Sequence, residues 1–128
     1  MTVRFGKPEA QIVRLLAARL PGVAVATRAP QTLPALFVRP VAIGGSVRTA
    51  ALSQRLVQLH FYAATASAAA DLAETVLAAL VAAGQDPTEK TVRRVDVVGE
   101  PAAYPDPDTD RPRYSATVAL WLRGTPQP

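Results

Sequence analysis

The chain has 128 residues, of which 49% are hydrophobic and only 5% aromatic, so its core has to be built mainly from alanine, valine and leucine. The net charge of +4 permits contact with nucleic acid without requiring it, and the absence of cysteine excludes disulfides, thiolate metal sites and cysteine nucleophiles. A run of about 18 uncharged apolar residues does not occur, because the most apolar stretch, 63–83, carries Asp71 and Glu74. No membrane partner is therefore expected.

The first half of the chain predicts one helix and three strands. Residues 8–20 place apolar side chains at helical spacing, and a Pro-Gly pair ends this helix. Strands are predicted at 23–27, 35–43 and 55–63. Pro40 confines the second of these strands to an edge or an irregular position, because it has no N–H for a ladder.

The second half of the chain predicts another helix and two strands. Thr65 or Ser67 is expected to cap a helix that runs to Ala83, with Gly84 just beyond its C-terminus. Two strands follow, at 91–98 and 113–123.

Together these elements predict an α+β fold in a single domain, residues 1–128. It consists of one mainly antiparallel sheet of four to five strands, with both helices packed on its apolar face. Regular strand alternation places Val92 on the opposite face from Val95. Residues from about 124 onwards are expected to form a loose C-terminal tail.

The chain carries few side chains suited to catalysis. His60 is the only histidine, and no serine or cysteine nucleophile pattern accompanies it, so it is expected to pack on the sheet. Gly44 and Gly45, followed by Arg48, lack the ending of a phosphate-binding loop and are expected to form a flexible turn. No catalytic, cofactor-binding or metal-binding residue is predicted, and an enzyme is not expected.

Three aspartates, Asp106, Asp108 and Asp110, have the alternate spacing that opens a calcium-binding loop. The match fails after them, because Arg111 replaces the glycine and Thr117 replaces the glutamate that such a loop requires. The segment is therefore predicted to be a solvated acidic loop, for which a basic surface of another subunit is a suitable partner.

The sheet face opposite the helices is predicted to carry a mixture of apolar and polar side chains that suits a contact between subunits: Leu56, His60, Tyr62, Arg113, Trp121 and Arg123. Three connections are longer than usual and are expected to reach neighbouring subunits: 28–34, 44–54 and 99–112.

The order and composition of several segments are similar to those of a known family. These segments are 33–39 (LPALFVR), the Gly44-Gly45 pair, the strand 56–63 (LVQLHFYA), the alanine-rich helix 68–83, the turn 99–101 and the strand 114–122. Across about residues 8–123 the chain resembles the tail terminator, or tail completion, proteins of long-tailed bacteriophages.

The resemblance implies a structural virion protein and supplies no catalytic residues. Its subunits are expected to form a homo-oligomeric ring, hexameric in this family, that caps the tail tube and stops its elongation. Besides the tail-tube protein, the ring would contact a head-side connector or stopper protein, and DNA would pass through its lumen without sequence-specific binding. The expected location is the tail–neck junction of the virion, after assembly in the host cytoplasm.

The charged loop residues are the predicted subunit contacts. Three arginines of one subunit are expected to face three aspartates of the next, with one tryptophan as a further interface candidate: Arg39, Arg48 and Arg55; Asp106, Asp108 and Asp110; and Trp121.

Other functions remain open from the sequence. The closest is another neck component, such as a head-closure or adaptor protein. A small enzyme or ligand-binding α+β domain would have a deep pocket near His60, Tyr62 and Trp121. A nucleic-acid-binding protein would have a continuous basic stripe and a DNA affinity that falls steeply with salt.

Overall fold

The computed structural model describes residues 2–127, which form seven strands and two helices. In chain order these are β1 (Thr2–Arg4), α1 (Pro8–Arg19), β2 (Ala24–Val25), β3 (Phe37–Gly44), β4 (Leu52–Tyr62), α2 (Ala66–Gln85), β5 (Val92–Ala103), β6 (Arg113–Arg123) and β7 (Thr125–Gln127).

Five of the strands form one sheet in the order β2-β3-β4-β6-β5. Neighbours from β3 to β5 are antiparallel, whereas the short β2 runs parallel to β3. The predicted α+β class with two helices and a mainly antiparallel sheet is confirmed. The expectation of a single sheet is wrong, because the five-stranded sheet is mixed and β1 and β7 form a second sheet.

Pro40 lies where the sheet edge is open. β2 pairs with β3 at Phe37 and Val38, so among the described residues Pro40 has a strand neighbour on one side only, at Leu59 of β4. The missing N–H of proline therefore interrupts no ladder, as the sequence predicted.

Helix α1 begins where its sequence indicates. Pro8 occupies the first turn, where its lack of an N–H removes no helical hydrogen bond. Glu9 and Arg19 lie at the ends of the helix that favour their charges. Ile12 and Leu16 are fully buried against the sheet.

Helix α2 is capped by Thr65, whose Oγ1 accepts a hydrogen bond from the Ala68 N–H at 3.1 Å. This decides between the two predicted caps. The helix continues to Gln85, so the expectation that Gly84 follows its C-terminus is wrong. Gly84 is needed for packing instead, because a Cβ there would lie 2.6 Å from the backbone nitrogen of Val95.

By length and composition α2, Ala66–Gln85, is also the one helix of the described residues that could cross a membrane. Its apolar side chains Leu72, Val76 and Leu80 are buried in the protein core. Packing against the sheet is therefore a sufficient reason for its apolar composition.

Strand β5 is longer and less regular than its sequence predicts. It extends through Ala103, which shortens the predicted loop 99–112 to 104–112. The pairing with β6 shifts between Val92 and Arg94, so Val92 and Val95 are both buried on the same side. The predicted placement of Val92 on the opposite face is wrong, because a bulge interrupts the two-residue period.

The two-stranded sheet holds both ends of the described chain. Thr2 pairs with Gln127 and Arg4 with Thr125, and the Gly124 N–H donates to the Ala51 carbonyl at 2.9 Å. Residues 125–127 therefore form a strand, which corrects the expectation of a loose tail.

The core lies between the helices and one face of the five-stranded sheet. Buried side chains from both helices and from β3 to β6 belong to one cluster, and the largest fully buried members are Ile12, Leu16, Leu59, Phe61, Leu80, Leu120 and Leu122. This arrangement leaves the opposite face of the sheet without a covering layer of helices.

Candidate subunit interface

The predicted interface residues lie near two opposite ends of the five-stranded sheet. β4 begins beside the turn that carries Arg48, which forms an isolated bridge with Ser53, and it ends at Tyr62, opposite Arg113. Ser53 and Tyr62 are nine residues apart on β4, which corresponds to roughly 30 Å at about 3.3 Å per residue. Arg48 and the aspartates of the 104–112 loop are therefore separated by the length of the sheet.

At one end, which we call the arginine end, two arginines share one aromatic ring. The guanidinium carbon of Arg48 lies 4.7 Å from the centroid of the Phe5 ring, and that of Arg55 lies 6.0 Å away. The negative face of the ring attracts both cations. Exposed Ile43 and Val47 complete the arginine end, with 49% and 40% of their surfaces accessible.

Arg55 is held in place from inside the sheet. Its Nε donates to Ser53 Oγ at 2.8 Å, and Ser53 is only 2% exposed. This contact leaves the two Nη groups of Arg55 for a partner.

An open cleft of about 620 Å³ adjoins these arginines. It lies between the start of α1 and the β3–β4 turn, and its lining includes Glu9, Ser46, Arg48, Ser53 and Arg55. The ion pairs among the described residues are Arg14–Glu89, Arg19–Asp86 and Arg94–Asp96. The positive charges of Arg48 and Arg55 are therefore not neutralised by a direct ion pair within the described chain.

The β3–β4 turn has a defined structure. Gly44 and Gly45 have φ of 106° and 159°, and a Cβ at Gly45 would collide with the Gln54 carbonyl. The Ser46 N–H and hydroxyl donate to Gln54 Oε1 at 3.3 and 2.7 Å. The two glycines thus allow the turn to fold back on β4, and hydrogen bonds hold it there.

The opposite end, which we call the aspartate end, consists of Asp106, Asp108 and Asp110 with the exposed side chains of Leu36 and Tyr104. Asp106 is half-buried and organises its own turn: its Oδ1 accepts the Asp108 N–H at 3.0 Å and its carbonyl accepts the Asp110 N–H at 2.8 Å. The hydrogen bond from the Asp108 N–H lowers the pKa of the Asp106 carboxyl. Hydrogen bonds from Thr109 and the charge of Arg113 act in the same direction, and burial acts against them. Asp108 and Asp110 are exposed.

Two arginines anchor this turn to the rest of the protein. Arg111 Nη2 donates to the Pro34 carbonyl at 2.7 Å, which ties the turn to the 26–36 loop. Arg113 Nε donates to the Tyr104 carbonyl at 2.8 Å, and its guanidinium carbon lies 5.6 Å from the Tyr104 ring centroid and 5.8 Å from that of Tyr62. Their guanidinium groups are therefore engaged within the subunit.

Arg39 and Trp121 do not join the pair formed by Arg48 and Arg55, for different reasons. Arg39 pairs with His60 in the β3–β4 ladder and donates its Nε to the Thr27 carbonyl at 3.1 Å, so it belongs to the half of the sheet that carries the aspartates. Trp121 is half-buried, and its Nε1 donates to Asp96 Oδ2 at 3.3 Å. The structure thus groups Arg48 with Arg55 and carries Arg39 towards the aspartate end. Trp121 lies opposite Gln54 in the β4–β6 ladder, at the same end of the sheet as Arg55 but on the other face.

His60 has a partner that its sequence did not indicate. Its Nδ1 lies 2.7 Å from Ser115 Oγ on the neighbouring strand. Burial lowers the pKa of His60 to about 4. The positive charges of Arg113 and Arg39 add to this effect, and the negative charge of Asp106 opposes it. A neutral imidazole beside a serine hydroxyl resembles the nucleophile and base of a serine hydrolase. Among the described residues, however, the hydrogen bond found for His60 is this cross-strand contact with Ser115, and no carboxylate orients the ring.

A second open cleft, of about 450 Å³, lies at the aspartate end beside Tyr62, Asp106 and Arg111. His60 and Trp121 are not among its lining residues, so it is not the pocket expected for a ligand-binding domain. The described residues contain no cluster of three or more His, Asp or Glu side chains that could hold a metal ion.

Several residues of the two ends carry no charge and were not predicted as contacts: Phe5, Leu36, Ile43, Val47 and Tyr104. For the four exposed ones the available signal was position in or beside a polar loop, where an apolar side chain does not reach the core. Phe5 gave no such signal, because it is partly buried and packs against the core. No protein-family model matches the chain, and no curated protein matches it either.

Proposed function

We propose that this protein is a ring-forming tail terminator, which caps a phage tail tube, stops its elongation and provides the contact to the head-side connector. The observation that carries the proposal is the pair of surfaces at opposite ends of the sheet. Each end combines exposed apolar side chains with exposed charges, a composition suited to a protein contact.

A contact between these two different ends would be heterologous, because the surface used by one copy differs from that used by its neighbour. Heterologous contacts generate closed rings when the rotation between copies closes, and helical filaments when it does not. A ring that ends a tube requires the closed case. The number of six subunits, the tail-tube partner and the virion location rest on the resemblance described above.

The test is to measure the mass of the purified protein by native mass spectrometry or analytical ultracentrifugation, and then to image it with tail tubes. We expect a ring of one size that binds tube ends and prevents their further growth. A protein that stays monomeric and does not bind tube ends contradicts the proposal. A ring that binds the head-side connector but not the tube would favour a head-closure or adaptor role.

A further inference from the structure

We infer that the arginine end binds the 104–112 turn of a second copy of the chain, with Asp108 and Asp110 placed against Arg48 and Arg55. This inference rests on the proposed ring and names the contact that would build it. Of the six charged residues that the sequence predicts as subunit contacts, the inferred contact uses four and leaves out Arg39 and Asp106.

The arginine end has the composition of a carboxylate-binding surface. Arg48 and Arg55 both contact the aromatic ring of Phe5. Two positive charges are therefore held near each other, and neither forms a direct ion pair within the described chain. A guanidinium group offers paired N–H donors that match the two oxygens of a carboxylate. An acidic partner would therefore relieve the repulsion and use these donors.

The exposed apolar side chains favour a protein as that partner. Ile43 and Val47 stand beside Arg48 with much of their surface accessible. Contact with a nucleic-acid phosphate backbone would not bury these aliphatic side chains in apolar surroundings, whereas contact with apolar side chains of another protein would, and such burial favours association. At the aspartate end Leu36 and Tyr104, with 63% of the tyrosine exposed, are available for such a contact.

The aspartate end also has the rigidity that a docking segment needs. Asp106 uses its oxygens within the turn, and Arg111 fixes the turn to Pro34. Asp108 and Asp110 remain exposed at its surface. A preformed turn loses little conformational entropy when it binds, so more of the interaction free energy remains for association.

The occupant has to be a second copy and not the same molecule. The two ends are separated by about the length of β4, roughly 30 Å, and β4 is continuous from Leu52 to Tyr62. The contact therefore joins the arginine end of one subunit to the aspartate end of the next.

Two charge reversals test the contact directly. Arg48→Glu and Asp108→Arg each alter an exposed side chain, so both variants are expected to fold. Asp108→Arg should keep the wild-type melting temperature, and Arg48→Glu should lower it only slightly, by the loss of its contact with the Phe5 ring. Each reversal would put like charges across the contact, and each variant alone is expected to self-associate at least about tenfold more weakly.

Mixing the two variants is the decisive step. In an alternating assembly the native pair Arg48–Asp108 recurs at every second contact, and the reversed pair Glu–Arg recurs at the others. An equimolar mixture is therefore expected to recover association that neither variant shows alone, as measured by analytical ultracentrifugation. Lys90→Glu and Glu74→Arg, which make the same charge changes at exposed positions outside the two ends and outside the predicted contact loops, are the matched controls and are expected to assemble like the wild type.

The outcomes separate this inference from the proposed function. If the wild type assembles and the two variants assemble equally well, or if their mixture is no better than either alone, the inferred contact is wrong while the ring survives. Equal loss in the control variants also overturns it, because the effect would then follow net charge. A wild type that neither self-associates nor binds tube ends overturns the proposed function and this inference with it.

Discussion

At the scale of single residues, a few hydrogen-bonding side chains decide where elements begin and how they are held together. Thr65 starts α2 by accepting the Ala68 N–H, although Ser67 is an equally suitable residue type two positions later. Thr65 has an extended backbone, with φ of −131° and ψ of 161°, whereas Ser67 already lies within the helix. Only a residue outside the helix can fold its side chain back over the first turn.

Replacing the cap tests this assignment. We expect Thr65→Ala to lower the free energy of unfolding by about 1 kcal/mol, because an N–H of the first turn loses its acceptor. Ser67→Ala is the control and is expected to leave the stability nearly unchanged, since that side chain is exposed. Urea denaturation of the two variants measures both values, and equal losses would contradict the assignment.

Glu89 joins α1 to the start of β5. Its carboxylate accepts two hydrogen bonds from Arg14, at 2.8 and 2.9 Å, and one from each of the Thr91 and Val92 N–H groups at 2.8 Å. The Arg14 hydrogen bonds, supported by the two backbone donors and opposed by burial, lower the pKa of Glu89 to about 2. The charged form is thus the one that the folded protein stabilises.

This predicts a specific acid sensitivity. Because the folded-state pKa of Glu89 is lower than the ordinary value of 4.5, the unfolded state binds the proton first as the pH falls. The stabilisation is therefore complete above pH 4.5 and is lost between 4.5 and about 2. We expect Glu89→Gln to lower the unfolding free energy at pH 7 by about 2 kcal/mol and to flatten its pH dependence in this window.

The exposed Glu74 is the matched control for Glu89. Glu74→Gln makes the same chemical change on the solvent side of α2, and we expect its unfolding free energy to follow the wild-type pH dependence. Chemical denaturation at several pH values between 2 and 7 compares the three proteins. Parallel curves for wild type and Glu89→Gln would show that the Arg14 contact does not stabilise the fold.

At the scale of elements, close approach of α2 to β5 depends on Gly84. In a helix interior alanine is favoured over glycine by roughly 1 kcal/mol. Here a Cβ would lie 2.6 Å from the Val95 nitrogen and 3.1 Å from the Arg94 carbonyl carbon, and backbone atoms in a sheet cannot move aside easily. Overpacking of this kind typically destabilises by about 1–3 kcal/mol, which exceeds the gain in helix propensity.

We therefore expect Gly84→Ala to destabilise the protein by about 1 kcal/mol or more. Gly22→Ala provides the control, because a Cβ at that position would meet no atom within 4 Å. A thermal or urea unfolding series measures both. A stabilised Gly84→Ala would mean that α2 and β5 separate readily and that the glycine is not required for their packing.

At the scale of the whole molecule, the sheet acts as a spacer that holds two unlike surfaces apart. Helices cover one face of the sheet, and the turns at its two ends carry exposed charges beside exposed apolar side chains. The contact proposed between these ends uses exposed charges, which salt screens over a Debye length of about 10 Å at 0.1 M ionic strength.

Assembly should accordingly weaken as salt increases. We expect the association constant, measured by analytical ultracentrifugation, to fall several-fold between about 0.05 and 0.5 M sodium chloride. The Arg48→Glu variant is the comparison, since like charges face each other in it and added salt should improve its association. Association of the wild type that is unchanged or strengthened by salt would indicate that Ile43 and Val47, and not the arginines, dominate the contact.

Much of the fold could be predicted because its signals are local. Alternation on β4 placed Leu59 and Phe61 inward, and both are fully buried. The prediction failed at Val92, where a bulge shifts the period, and at residues 125–127, which pair with a strand from the other end of the chain. Both failures depend on a partner strand that is distant in sequence, and local periodicity carries no information about it.

The amino-acid sequence by itself determined the types of the elements from α1 to β6, the apolar face of the five-stranded sheet and the presence of basic and acidic loops. These follow from the spacing of side chains along the chain, which a helix or a strand converts directly into faces. Only the tertiary structure decided that Arg39 is separated from Arg48 and Arg55, which share the ring of Phe5. Antiparallel pairing of β3 with β4 carries Arg39 towards the aspartate end, because the ends of a sheet are set by register and strand direction, and neither can be read from the spacing of charges in one chain segment.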